Sequence, residues 1–203
     1  MTELYQSIDV LIFRRIKALR HSTDSALVQI GNATGKDTRD RRMETPDMRL
    51  SLEVTLVTRA EIDDFKAFLD TRCGRLVPFW LPAWDYELHS KSSMVYPSAN
   101  LNFDRTEFVD AYLHSAALHH KRKFLWFWIS DADHYADYIS AAATVDADTE
   151  QVTMHTAVDY EYPLICFLNY CRLDADRIEI VYEGNDLARC VLPVKILQYD
   201  AIT

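Results

Sequence analysis

The histidines and carboxylates of this 203-residue chain are the side chains whose types and spacing could do chemistry. A zinc-protease motif places two histidines four residues apart on a helix, with a glutamate directly after the first. In the segment HSAALHH, His114 lies five residues before His119 and six before His120, and no glutamate separates them. The spacing therefore predicts exposed or capping histidines rather than a metal site.

Two acidic segments, 131–138 (DADHYADY) and 146–150 (DADTE), could bring carboxylates together. Paired carboxylates hydrolyse glycosides only at separations that the fold sets. A calcium-binding EF-hand loop needs a glycine at its sharp turn and a glutamate at its twelfth position, and DADTE has neither. We expect turns with exposed acids, and we predict no catalytic residue, no metal and no cofactor. If the chain were a hydrolase, its site would use Asp131, Asp133, His134 and Asp137.

The cysteines and glycines point away from other common chemistries. No two of the four cysteines show CxxC spacing, so we expect buried free thiols rather than a zinc site. They are Cys73, Cys166, Cys171 and Cys190. The four glycines form neither a phosphate-binding loop nor the GxSxG turn that carries a nucleophilic serine. The sequence therefore predicts that the chain is not an enzyme.

The overall charge and the apolar pattern also limit the partners. The net charge of −9 argues against direct nucleic-acid recognition, which depends on a surface rich in lysine and arginine. The arginines of segment 39–49 alternate with acids, which is typical of a solvated, ion-paired face. No apolar run approaches 18 residues and the N-terminus does not resemble a signal peptide, so we expect no membrane span and synthesis in the cytoplasm.

One strand and one helix follow directly from periodicity. In segment 48–58, apolar residues alternate with polar ones, which predicts a half-buried strand. Thr58 and Glu61 form a capping box that starts a helix, and Gly74 suits a left-handed cap at its end. The apolar stripe of this helix contains Ile62, Phe65, Phe68 and Leu69. We place the helix at about 58–72.

The remaining segments indicate antiparallel strands. Segment 124–130 (FLWFWIS) is apolar on both faces, which predicts a strand that is covered on both sides or used at an interface. Two hairpins should turn at 146–149 and 183–186. Segment 8–19 could be strand or helix, and 106–123 could be helical. Pro78 and Pro82 cannot donate a ladder hydrogen bond, so the segment between them should be an edge strand or an extended arm. Strands joined by short turns, with one helix, predict a β-dominated α+β fold.

The segment TLVTRAEIDDFKAFLDTRCGRLVPFWLPAWDYEL (55–88) resembles the distal tail and minor tail proteins at the tail tip of long, flexible-tailed bacteriophages and gene transfer agents. In that family a strand leads to a helix with an RAEID motif, a basic glycine turn, an aromatic strand and a W–D pair. The matching positions here are 59–63, 68–69, 74–75, 79–80 and 84–85. Segments 22–56 and 172–197 are also similar to this family, whereas 102–141 departs from it.

The resemblance implies a structural virion protein without catalytic residues. Such proteins form a ring at the tail tip, here expected to be a hexamer, that joins the tail tube protein to hub or fibre proteins. The implied fold is a β-sandwich or split barrel with one packed helix in residues 1–97, and a smaller β-rich part in 98–203. The C-terminal hairpin, at about 176–198, could return to the first sheet.

A ring subunit must bury surface on its neighbours, and aromatic side chains are enriched at the centres of interfaces. Prolines would fix an extended arm before it docks and so reduce the entropy lost. The interface candidates are Phe79, Trp80, Trp84, Trp126 and Trp128. The alternative for Phe79 and Trp80 is packing inside the subunit against the helix. Alternative functions are a tail-associated cell-wall or glycan hydrolase and a module that binds carbohydrate or protein.

Overall fold

The structure is a computed structural model that describes residues 2–13, 15–24, 27–31, 37–41, 47–84, 88–91, 99–104, 124–130, 133–156 and 164–197. In chain order its elements are β1 (Thr2–Tyr5), β2 (Ile8–Leu11), β3 (Ile16–Asp24), β4 (Leu27–Gly31), β5 (Asp37–Arg41), β6 (Asp47–Leu56), α1 (Arg59–Arg72), β7 (Phe79–Pro82), β8 (Asn100–Asp104), β9 (Phe124–Ser130), β10 (Asp133–Thr144), β11 (Thr149–Met154), β12 (Leu164–Leu173), β13 (Ile180–Tyr182) and β14 (Ala188–Ile196). A β-dominated α+β fold with one packed helix is thereby confirmed for the described residues.

Contacts divide the chain into two compact units, each made of separate segments. Unit 1 contains residues 1–14, 78–171 and 198–203, and unit 2 contains 15–77 and 172–197. The expected boundary at residue 97 differs from this division, because strands that are distant in sequence pair with each other. In unit 2, for example, β6 pairs with β14 over eight residue pairs.

Unit 2 contains an antiparallel sheet in the order β3–β6–β14–β13. The predicted alternation of β6 is confirmed, since Leu50, Leu52 and Val54 are buried while the residues between them are partly exposed. Leu52 lies opposite the buried Leu192 of β14, and α1 contacts β6. The C-terminal hairpin β13–β14 thus joins the sheet that contains β6. A separate pair of strands, β4 and β5, is antiparallel.

Helix α1 begins and ends with local hydrogen bonds and turns. Its predicted N-cap is confirmed, because the amide of Glu61 donates to Thr58 Oγ1 at 3.1 Å. The Glu61 carboxylate accepts from the amide of Val57 at 2.9 Å, one residue earlier than the capping box predicts. The helix ends at Cys73, whose φ of 49° is left-handed, and Gly74 follows with φ of 65°. Gly74 is thus left-handed as predicted, and the C-cap residue Cys73, directly before it, is left-handed as well.

Unit 1 contains strands in the order β1–β2–β7–β12–β9–β10–β11–β8. The β2–β7 pair is parallel and the other pairs are antiparallel. Strand β9 lies between β10 and β12, and four consecutive residues from Phe124 to Phe127 are buried, which confirms the prediction of a strand covered on both faces. The hairpin turns between β10 and β11, and between β13 and β14, lie where the sequence predicts them.

The expectation of an edge strand between the two prolines is wrong. Strand β7 pairs with β2 on one side and with β12 on the other. The sheet tolerates the prolines because Pro78 precedes this four-residue strand and Pro82 is its last residue, so both missing N–H groups fall at its ends. Segment 8–19 forms parts of two strands, β2 and β3. The possible helix at 106–123 lies outside the described residues.

No helix in the described ranges is long and apolar enough to cross a membrane.

Candidate interaction surface

Trp80, an expected interface residue, lies in the core of unit 1. Its side chain is fully buried. Its ring centroid lies 4.7 Å from that of Phe124, 5.1 Å from Tyr170 and 5.9 Å from Tyr5. These three rings belong to the same unit as Trp80, so side chains of unit 1 cover its indole. Trp80 is therefore a core residue and offers no contact surface.

Phe79 and Trp126 need the same correction as interface candidates. Phe79 is fully buried, and Trp126 is 1% exposed. Trp126 extends from β9, a strand that has neighbours on both sides, and its ring lies 5.0 Å from that of His134. Three of the five candidates thus stabilise the protein itself.

Trp84 and Trp128 remain partly exposed and lie side by side with His134. The two tryptophan ring centroids are 5.7 Å apart, and Trp128 stacks on His134 at 5.2 Å with an interplanar angle of 12°. We call these three rings the aromatic row. Trp84 has φ of 63°, a left-handed conformation that is strained for a large side chain, and its indole Nε1 has no hydrogen-bond partner among the described atoms. The row could present the exposed parts of its ring faces to a partner, but the Trp84 N–H is itself buried.

The four residues considered for a hydrolase do not form one described site. Asp131 and the side chain of Asp133 lie outside the described residues. His134 and Asp137 are three positions apart on β10, so they point to opposite faces of the strand. No group of three or more histidine, cysteine or acidic side chains that could hold a metal occurs in the part of the chain that the structure describes.

Asp137 is a buried carboxylate that holds two chain segments together. Its Oδ1 accepts from the amide of Tyr138 and its Oδ2 from the amide of Thr156, both at 2.8 Å. His155 Nδ1 lies 3.9 Å from the carboxylate. Burial raises the pKa of Asp137 above its usual range, while the two amides act in the opposite direction. Because amides occupy both oxygens, the geometry favours a structural role at the base of the β10–β11 hairpin.

The turn of that hairpin, residues 145–148, is preordered and exposed; we call it the hairpin tip. Asp146 Oδ1 accepts from the amide of Asp148 at 2.8 Å, and this hydrogen bond holds the pKa of Asp146 below its usual range. Lys91 Nζ donates to the carbonyl of Asp148 at 2.6 Å. Val145 is 58% exposed beside these acids. The prediction of a turn with exposed acids is confirmed here, although Glu150, which follows, is buried. For the other acidic segment the prediction is wrong, because 133–138 is part of strand β10 and Asp137 is buried.

Three of the four thiols are buried, as predicted. Cys166, Cys171 and Cys190 are buried and free, whereas Cys73 is exposed at the end of α1. Burial raises the pKa of Cys190 to about 12 and raises that of Cys171 further. Reactivity requires the thiolate, so these two thiols are inert near neutral pH.

Unit 2 has an exposed sheet face that was not predicted from the sequence. We call it the outer face, and it contains a concavity of about 330 Å³. The lining residues are Glu53, Arg177, Glu179, Val181, Arg189, Cys190, Val191 and Pro193. Val181 is 53% exposed and Val191 is 56% exposed. Alternation in β14 offered a signal, because Val191 occupies a position that points away from the buried Cys190 and Leu192.

Charged side chains surround the apolar part of the outer face. Lys17 Nζ lies 2.8 Å from Glu53, and its hydrogen bond lowers the pKa of that carboxyl. Arg189 pairs with Glu183 at 3.0 Å. Arg177 and Glu179 have no partner among the described residues. An apolar centre with charged groups at its edge is the usual anatomy of a protein-binding surface.

No protein-family model matches the chain, and a search of curated proteins finds no relative.

Proposed function

We propose that this chain is a structural component of a phage tail tip, in which copies of it form a ring that joins the tail tube to the hub or fibres. The observation that carries the proposal concerns two distant segments, 22–56 and 172–197, both of which resemble the tail-tip family. Both belong to unit 2, where β6 and β14 pair from Leu56 opposite Ala188 to Arg49 opposite Lys195. Two of the three segments that resemble the family thus pair within one folded unit, whereas the third, 55–88, has residues in both units.

The outer face of unit 2 also supports an assembly role. Two valines, each more than half exposed, lie on one sheet face among charged side chains. Apolar patches rimmed by polar residues mark interaction sites more often than bare surface. A ring subunit needs such a patch, because each copy contacts its neighbours through two different surfaces.

Electron microscopy of tagged particles tests the proposal. The chain would carry a C-terminal peptide tag, and gold-labelled antibody would be applied to purified particles. We expect label at the tail end, and a complex of roughly 140 kDa if six chains of 23.6 kDa close into a ring. A tagged capsid protein is the control for antibody access. Absence of the chain from particles that are otherwise complete would overturn the proposal.

The aromatic row favours a second candidate function, which is glycan binding. Trp84 and Trp128 are partly exposed, and their ring centroids lie 5.7 Å apart. The apolar face of a sugar ring could pack against the exposed parts of these two rings. Co-sedimentation with purified bacterial cell walls tests this function. The variant Trp84→Ala should abolish binding, whereas Leu164→Ala, at another exposed apolar residue of unit 1, should retain it.

A further inference from the structure

We infer that the outer face of unit 2 binds the hairpin tip of a second copy of this chain. This inference rests on the proposed function, since it names the contact through which neighbouring subunits would associate. The contact would be heterologous, because one surface of each copy would bind a different surface of the next copy.

The outer face offers an apolar floor and a lining in which two arginines balance two glutamates. Glu53 pairs with Lys17 and also lies within the fields of Arg20 and Arg189, so its negative charge is locally compensated. Arg177 and Glu179 line the same concavity, and neither has a partner among the described residues. Because the chain as a whole carries a net charge of −9, a face with balanced charges repels acidic surfaces of other copies less than the average surface does, and Arg177 offers an acid a partner there.

The hairpin tip supplies the complementary groups. Large apolar residues that are exposed in the described structure are Leu4, Leu76, Val145, Leu164, Val181, Tyr182 and Val191. Among them, Val145 shares a turn with two exposed acids, Asp146 and Asp148. The Asp148 side chain has no partner among the described residues, so it is available to Arg177 of a neighbouring copy. The valine would then lie against Val181 and Val191.

The geometry of both sides suits this pairing. A volume of about 330 Å³ lies at the small end of binding clefts and accommodates a turn rather than a helix. The tip is held in advance by the amide of Asp148 and by the ammonium of Lys91. Docking a preordered turn loses less conformational entropy than docking a flexible loop.

Charge reversal tests the ion pair between copies. Asp148→Arg or Arg177→Glu alone should weaken self-association roughly tenfold or more, because each places like charges together. The chain that carries both changes should recover association, because the pair is restored with opposite sign. Sedimentation velocity across a concentration series gives the association constants. Asp70→Lys, an exposed reversal on α1, is the matched control, and thermal melting checks that each variant folds. Equal association of both single variants and the wild type would overturn the inference.

Cysteine cross-linking separates this inference from the proposed function. Val145→Cys and Val191→Cys would be combined in a Cys73→Ser background, which removes the exposed native thiol. Oxidation of particles should yield disulfide-linked oligomers, because a disulfide needs Cα atoms within about 7 Å. Each single cysteine variant is the control. Particles that contain the chain but yield only monomers would overturn the docking surface and leave the tail-tip function standing; particles without the chain would overturn both.

Discussion

The two units build their cores in different ways. In unit 2, β6 and β14 alternate between buried and exposed positions, with Leu52 facing Leu192 on the buried side. The opposite side remains a charged face with exposed valines. In unit 1, β9 buries four consecutive residues, and aromatic rings from separate strands, such as Trp80 and Phe124, contact each other. In unit 2 the core covers one face of the sheet at β6, and in unit 1 it covers both faces of the sheet at β9.

This difference explains which sequence signals were informative. Alternation distinguishes the inside of a strand from its outside, because successive side chains point to opposite faces. A continuous aromatic run carries no such distinction, so it is equally compatible with an internal core and with an interface. For that reason alternation predicts the buried residues of β6 correctly, whereas the prediction that Trp80 and Trp126 lie on a partner surface is wrong.

The largest expected effect tests the core of unit 1. We expect Trp80→Ala to lower the free energy of unfolding by about 3–5 kcal/mol, because it removes a fully buried ring and leaves a cavity. Trp84→Ala, at a partly exposed ring, should have a clearly smaller effect. Urea unfolding followed by circular dichroism measures both. An unchanged stability of Trp80→Ala would contradict the assignment of this ring to the core.

The next effect tests the alternating core of unit 2. Leu52→Ala should lower the free energy of unfolding by about 2–4 kcal/mol, because Leu52 is fully buried opposite Leu192. The neighbouring Ser51→Ala should change it by less than about 0.5 kcal/mol, since Ser51 points to the other face. The same urea experiment applies. Similar losses at both positions would mean that β6 does not alternate.

A smaller effect concerns the start of α1. Thr58→Ala should lower the free energy of unfolding by about 1 kcal/mol, because the amide of Glu61 loses its acceptor. Thr58→Ser keeps the hydroxyl and should retain most of the stability. Thermal melting of the three proteins decides the comparison, and equal melting of the alanine and serine variants would rule out the cap as the cause.

The smallest expected effects concern the pH dependence of the free energy of unfolding. One carboxylate in each unit should contribute to it, and the two contributions should change with pH in opposite directions. Burial raises the pKa of Asp137 in unit 1 above 3.8. The stability that Asp137 contributes is therefore fully present below pH 3.8 and is lost as the pH rises through the raised pKa. In unit 2, the hydrogen bond from Arg75 lowers the pKa of Asp176 below 3.8. Its contribution is therefore present above that pH and is lost on acidification through the lowered value.

Urea unfolding at several acidic pH values, with Asp137→Asn and Asp176→Asn, measures these two contributions. The stability difference between wild type and Asp176→Asn should close as the pH falls through the lowered pKa. Relative to Asp137→Asn, the wild type should gain stability as the pH falls toward 3.8. Parallel pH curves for both variants would contradict the opposite signs.

Much of the fold followed from local pattern, but little of the interaction surface did. The helix and both hairpin turns were predicted because their signals lie within a few residues, as in the Thr58 cap and the turn at 146–149. The outer face of unit 2 was missed because it joins Glu53 to residues 177–193, which are distant in sequence. No short motif marks side chains that only a shared sheet brings together.

The sequence by itself determined the alternation of β6, the start of α1 and a strand apolar on both faces at β9, because each depends on residues that are neighbours along the chain. Only the tertiary structure decided that β7 pairs on both sides, that Trp80 is covered, and that Val181 and Val191 share an exposed face. The physical reason is that the pairing of distant strands determines which side chains lose contact with water, and local periodicity contains no information on that pairing.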